Sequence, residues 1–235
     1  MDLELKDRVA LVTGGSRGIG AAIVNALTRE GCRVTFTHFD DAEHAANVPG
    51  HAIEADVADF AAAERVVAEV RPSILVCNAG ITADHVIWKM SEDEWDRVLD
   101  VNLKGCFNYC RATAPLLRTR DDGRIVTITS INGLRGKFGQ VNYAAAKGGL
   151  IALTKSVARE LGRSGATVNA IAPGMVRTDM VRDLPKEFVA AAEEESVLGR
   201  ISEPDDIADL VVFLCSARAR QITGQVIQVD AGQHM

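Results

Sequence analysis

The sequence predicts one α/β domain built on a doubly wound, seven-stranded parallel sheet flanked by helices. Short runs rich in β-branched residues alternate along the chain with longer segments of helical periodicity. The early runs are continuously apolar rather than alternating, as expected of strands covered by helices on both faces. A glycine-rich turn joins the first run to the first helix, the place where doubly wound sheets bind ligands.

Taken in order, RVALVT (8 to 13) is the first strand and a helix follows from about Gly18. RVTFTH (33 to 38) and HAIEAD (51 to 56) are the next two, and DFAAAERVVAEV continues as a helix. SILVCN (73 to 78) precedes a helix whose start is marked by Ser91 and Glu94, a capping box. GRIVTITS (123 to 130) leads into the helix carrying YAAAK, and ATVNAIA (166 to 172) is the sixth strand. Residues 173 to 204 form the one long segment without a strand, acid-rich and interrupted by Pro185. A connection of that length in a compact domain is expected to be a lid or substrate loop rather than a surface insertion. Ser202, Pro204 and Asp205 open the last helix, and QVIQVD (225 to 230) is the last strand.

Composition narrows the function. At 235 residues the chain can bury a full core as one domain, 1 to 235, and 47% apolar with 25% charged residues is ordinary for a folded protein. A net charge of −6 without a basic stripe argues against nucleic acid and anionic membranes as partners. No apolar stretch reaches the ~20 residues of a membrane span, and the acidic start MDLELKD does not resemble a signal peptide. The five cysteines are odd in number and scattered, which suits a reducing, cytoplasmic setting. Cys106 and Cys110 could share a helix face as metal ligands, but no histidine lies near them, and they are read as small core residues with no metal expected.

The turn TGGSRGIG (13 to 20) has the spacing GxxxGxG at Gly14, Gly18 and Gly20. Such glycines permit a tight turn, close approach of backbone to a pyrophosphate, and a helix N-terminus aimed at the phosphates. An acid at the end of the second strand would accept from an adenosine ribose and repel a 2′-phosphate. That position holds His38, and Arg17 can pair with a 2′-phosphate, so NADP(H) is preferred over NAD(H). The alternative is a solvated Arg17, with Asp40 or Asp41 taking the ribose of NAD. Asp56 closes the third strand and can accept from the adenine amine, and Asn78, Ala79 and Gly80 close the fourth with small residues.

Ser130 ends the fifth strand, and Tyr143 and Lys147 lie at i and i+4 on the following helix. A lysine near a phenol is expected to lower its pKa from about 10, making Tyr143 a usable acid near neutrality. Tyr143 would give a proton to a carbonyl oxygen while Ser130 also donates to it, stabilising charge that develops in the transition state. A tyrosine packed on a lysine stem is the alternative for an isolated pair.

The pair is not isolated. TGGSRGIG, NAG (78 to 80), VNLKG (101 to 105), Ser130 with YAAAK (143 to 147), PG (173 to 174) and ITGQVIQVDAG together resemble the short-chain dehydrogenases/reductases over essentially the whole chain. The resemblance implies a Rossmann fold and a catalytic tetrad of Ser130, Tyr143, Lys147 and Asn102. Asn102 would hold a proton-relay water beside Lys147, and Lys147 would also bind the nicotinamide ribose. It implies further cofactor contacts from Ser16, Ile19, Val57, Pro173, Gly174 and Val176, with Thr178 at the nicotinamide carboxamide. GITADHVIWKM and INGLRGKFGQVNYAAAK are most similar to 3-oxoacyl-carrier-protein reductases and acetoacetyl-CoA reductases. These reduce 3-ketoacyl thioesters with NADPH, usually as homotetramers that pair helices corresponding to about 91 to 118 and 141 to 163. Gln140 would line the substrate side with Ser130 and Tyr143. The substrate is then an acyl thioester of carrier protein or CoA. The basic residues that recognise an acidic carrier are replaced by RTRDDGR and RSGATVN, where Asp121 and Asp122 stand beside Arg120 and only Arg163 remains. Two other functions are weighed against this: an NAD-dependent dehydrogenase of another small alcohol, and a non-catalytic dinucleotide sensor, which commonly lacks the tyrosine or lysine present here.

Overall fold

A computed structural model describes residues 2–182 and 185–235. Asp183 and Leu184, inside the expected lid, lie outside the described residues. All seven expected strands form: β1 (Val9–Thr13), β2 (Arg33–His38), β3 (His51–Glu54), β4 (Ile74–Cys77), β5 (Arg124–Ile128), β6 (Thr167–Pro173) and β7 (Val226–Val229). They make one sheet in the order β3-β2-β1-β4-β5-β6-β7, parallel at every pairing. Chain order reverses between β1 and β4, so connections leave their carboxyl ends in opposite directions and open a crevice there.

Both faces of the sheet are covered, which explains the continuous apolar runs. Ala10, Val12, Ile74 and Val76 pack under α1 (Gly18–Arg29) and α10 (Pro204–Cys215) with Ile23, Leu27, Ile207 and Val211. Their neighbours Leu11, Leu75 and Cys77 face the other way, toward α3 (Phe60–Val70), α5 (Gly105–Leu117) and α7 (Val141–Leu161). At about 25 cal/mol per Å² of apolar surface, burial on both faces is the main force holding these layers.

The smaller helices are α2 (Ala42–Ala45), α4 (Glu92–Leu99), α6 (Asn132–Arg135), α8 (Asp179–Arg182) and α9 (Lys186–Glu195). The α4 start has the expected capping box: the Ser91 hydroxyl accepts from Glu94 N–H at 3.2 Å, and the Glu94 carboxylate accepts from Ser91 N–H at 2.8 Å. The expected helix 91 to 118 is interrupted by a π-helical turn, Asp100–Lys104. One extra residue per turn there has no periodicity signature in so short a stretch. The start of α10 also differs from expectation. Glu203, not Ser202, is its N-cap residue, donating its backbone N–H to Asp206 at 2.8 Å. Ser202 instead pairs with Val176 in an isolated bridge and is buried. Among the described residues no helix is long and apolar enough to cross a membrane.

Candidate active site

The carboxyl ends of the strands frame one cleft of about 1010 Å³. Its floor is the glycine-rich turn. Gly14 has φ +66°, and a Cβ there would lie 2.8 Å from Ala79 Cα; a Cβ on Gly20 would lie 2.0 Å from the Gly14 carbonyl oxygen. Turn, helix and the end of β4 are therefore packed to backbone contact, and a side chain at either position would force them apart. Asn78 locks the arrangement, donating from Nδ2 to the carbonyls of Gly14 at 2.8 Å and Thr13 at 3.2 Å. The Thr13 hydroxyl accepts from the N–H groups of Asn78 and Ala79. Arg17 precedes α1 in an extended conformation without a side-chain cap, so the first-turn N–H groups are not claimed by a capping side chain.

Ser16, Arg17, Gly18, Ile19, Gly20, His38, Asp56, Val57, Asn78, Ala79 and Gly80 all line this end of the cleft. Pro173, Gly174, Val176 and Thr178 line it from the far side, and a Cβ on Gly18 would meet the Thr178 methyl at 3.2 Å. His38 is buried with Nδ1 unpartnered. These features fit a dinucleotide: close backbone, a helix N-terminus and an orphaned nitrogen at the strand end. Asp56 accepts from Ala58 N–H at 2.9 Å through one carboxylate oxygen.

Asp41 also lines the cleft and gathers three polar partners, among them Arg17, the residue expected to meet a 2′-phosphate. The Ser16 hydroxyl donates to it at 2.6 Å, His44 Nδ1 lies 2.6 Å away and Arg17 Nε 3.6 Å away. Burial alone would raise its pKa, but Ser16, His44 and Arg17 outweigh burial and hold it below the ordinary value. The carboxylate is thus charged at neutrality.

At the other end Ser130, Gln140, Tyr143 and Lys147 line the same cleft. The Ser130 oxygen accepts from Asn132 N–H at 3.1 Å, which leaves its own proton free to be donated. Lys147 is buried, donates to the Ile128 carbonyl at 2.8 Å, and stands 5.6 Å from the centroid of the Tyr143 ring. The expected depression of the Tyr143 pKa is not found. Burial raises it and Asp84 adds to the rise, against a lowering by the Ser130 hydroxyl. The lysine cannot reverse this, because burial depresses its own pKa to about 8 and its ammonium is directed at a backbone carbonyl.

Asn102 and Gln140 both have their side-chain amides committed to protein partners. Asn102, in the π-helical turn, is buried behind the cleft wall and spends both ends of its amide on Ile81, accepting from N–H at 2.8 Å and donating to C=O at 2.9 Å. It still borders the lysine: a Cβ on Gly80 would meet Asn102 Oδ1 at 3.3 Å and Lys147 Nζ at 3.4 Å. Gln140 lines the cleft but also has both amide ends engaged, donating to Asp84 at 2.7 Å and accepting from Asn132 Nδ2 at 3.0 Å. Sequence reading missed Asp84, Asn132 and Asn142. Asn142 donates to the carbonyls of Ala83 and Glu94 and anchors the start of α7 beneath Tyr143. Its only sequence signal was an asparagine at a helix start. The reading also missed Arg135, which reaches from the end of α6 to Glu195 of α9 at 2.5 Å, and Gln233, which donates to the same Glu195 at 2.7 Å. Those contacts join segments remote in the chain and leave no local pattern.

A family model described as enoyl-(acyl carrier protein) reductase, of the short-chain dehydrogenase type, matches residues 14–234. The chain is a short-chain dehydrogenase/reductase. Relatives within this oxidoreductase family are similar from end to end. The 3-oxoacyl-[acyl-carrier-protein] reductase FabG of Staphylococcus epidermidis is 42% identical over 243 aligned positions, covering 97% of this chain and 100% of the relative. The acetoacetyl-CoA reductase of Shinella zoogloeoides is 44% identical over 236 positions, 96% of this chain and 98% of the relative. Nodulation protein G of Azospirillum brasilense is 38% identical over 242 positions, 97% and 98% respectively.

Proposed function

We propose that this short-chain dehydrogenase/reductase reduces a 3-ketoacyl thioester to the 3-hydroxyacyl thioester, with Tyr143 as general acid. The convergence of Ser130, Tyr143 and Lys147 on the dinucleotide cleft carries the reading. A bound nicotinamide dinucleotide supplies the hydride. The raised pKa keeps Tyr143 protonated at neutrality, as an acid in the reductive direction must be. Ser130, its oxygen already accepting from Asn132, donates to the substrate carbonyl oxygen and fixes it beside the phenol. As the tyrosine proton leaves, the Lys147 ammonium 5.6 Å from the ring favours the phenolate that remains. Asn102 holds the Ile81 peptide and the wall beside Lys147 in place.

NADPH is the proposed reductant, its 2′-phosphate taking Ser16 and Arg17 and displacing the carboxylate of Asp41. The grip of Ser16 on Asp41 favours a second reading, in which Asp41 stays and accepts from the ribose of NADH. For the acyl carrier, Arg120 is committed to Asp122 at 2.5 and 3.1 Å, and Arg8 also contacts Asp122. A face so neutralised favours a CoA thioester. Acetoacetyl-CoA with NADPH and NADH in parallel tests the CoA thioester and the reductant through loss of reduced-nicotinamide absorbance. Fast turnover with NADPH is expected; faster turnover with NADH would assign Asp41 to the ribose, and no turnover with either would remove the CoA-thioester reading.

The lid reading applies to α8, α9 and the described residues around them. Arg177 pairs with Glu193 and Glu203 at 3.2 and 2.9 Å, and Arg135 with Glu195, tying α9 to the cleft rim. The protein is proposed to be a cytoplasmic homotetramer, all five thiols being free and buried. Sedimentation velocity at micromolar concentration is expected to give a single tetrameric species, and a monomer would refute it.

A further inference from the structure

Three thiols that the proposed reaction does not use meet behind the cleft wall. Cys77 ends β4 with its side chain on the α5 face of the sheet, and Cys106 and Cys110 lie one turn apart on the inner side of α5. All are buried, and their Sγ atoms lie within 4.8 Å of one another, Cys106 and Cys110 at 3.9 Å. A metal bound at about 2.3 Å by three sulfurs in a plane requires the sulfurs to be about 4.0 Å apart. The side chains already stand near that spacing, and no other such cluster occurs among the described residues.

Charge selects the ion. Three thiolates around a divalent ion carry one net negative charge, which is costly to bury unless paired. Lys147 supplies the pair: its charge acts on both Cys106 and Cys77. A monovalent ion would leave a second negative charge with no partner. Three thiolate ligands select a soft ion. Cys77 immediately precedes the Asn78–Gly80 turn of the cleft wall.

We propose that Cys77, Cys106 and Cys110 form a buried three-sulfur site for a thiophilic divalent ion of the zinc, cadmium or mercury type. An occupied site holds Lys147 as its counter-ion and slows turnover. That consequence rests on the role proposed for Lys147, whereas binding itself does not.

Cadmium is the probe. The reduced full-length protein is titrated with Cd²⁺ under native conditions, and a second sample is refolded in its presence. Equilibrium dialysis and the ultraviolet sulfur-to-cadmium charge-transfer band are read on each. One Cd²⁺ per chain is expected, unchanged in Cys32→Ala and Cys215→Ala, and weakened at least about 100-fold in Cys106→Ala and Cys110→Ala. Cys110→Ser, nearly isosteric, replaces any alanine variant whose thermal melt shows loss of fold. No stoichiometric band in either preparation, or wild-type binding in the Cys106 and Cys110 variants, overturns the site. Because the readout needs no substrate, a failed acetoacetyl-CoA assay leaves this test intact.

Discussion

Tyr143→Phe is expected to lower kcat/KM for a ketone substrate by about 10²–10⁴-fold, the range of a positioned general acid. The substitution removes one hydroxyl and leaves the ring against the Lys147 ammonium, so packing and cofactor binding should persist. Ser130 would still donate a hydrogen bond to the substrate oxygen, but an aliphatic hydroxyl is a much weaker acid than a phenol and does not replace it as the source of a full proton. Steady-state kinetics should therefore show the loss in kcat, with the KM for the nicotinamide cofactor within a few-fold of wild type and the thermal midpoint little changed. Undiminished turnover in this variant would end the general-acid assignment. A loss accompanied by failure to bind cofactor would move Tyr143 from proton transfer to cofactor positioning.

The second large effect concerns stability. Lys147 titrates near 8 in the folded protein against an ordinary value of 10.5, because burial disfavours its charge. Below about pH 8 both folded and unfolded chains carry the proton, and the full cost of burying the ammonium is present. Between about 8 and 10.5 the unfolded chain binds the proton and the folded one does not, so stability rises with pH. The wild type should gain about 3 kcal/mol across that window relative to Lys147→Met, in which no such titration occurs. Urea unfolding of both proteins at one concentration, repeated at pH steps from neutrality upward, measures the difference. Parallel curves would mean that the folded-state pKa is not depressed.

The fold was legible because its signals are local. The central strands were marked by apolar runs that lie between two helical layers, as with Leu11 facing α5 while Ala10 and Val12 face α1. The glycine turn was legible for the same reason: Gly14 and Gly20 mark places where backbone touches backbone. What escaped was tertiary. The π-helical turn at Asp100–Lys104 has ordinary helix-forming residues and differs only in hydrogen-bond register. Asp41 was one of two acids weighed for the ribose, but its grip on Ser16 needed the second strand and the first turn in register. The Tyr143 shift had the opposite sign from expectation because spacing reports the lysine and not the burial that outweighs it. Cys77 is 29 residues from Cys106, so its place in the thiol cluster required the packing of β4 on α5.

The packing of α1 against α10 has a consequence for synthesis. Residues of both helices share one apolar cluster over the same face of β1, so the helix that presents the glycine turn has its outer support at the far end of the chain. At about 5–20 residues per second, the interval between completing Arg29 and beginning Pro204 is on the order of ten to thirty seconds. Throughout that time Ile23 and Leu27 lack the α10 residues Ile207 and Val211 that share their apolar cluster. Completion of the nucleotide crevice is therefore a late and long-range event, and a chain stopped before residue 204 would present that apolar face to chaperones rather than a nearly finished enzyme.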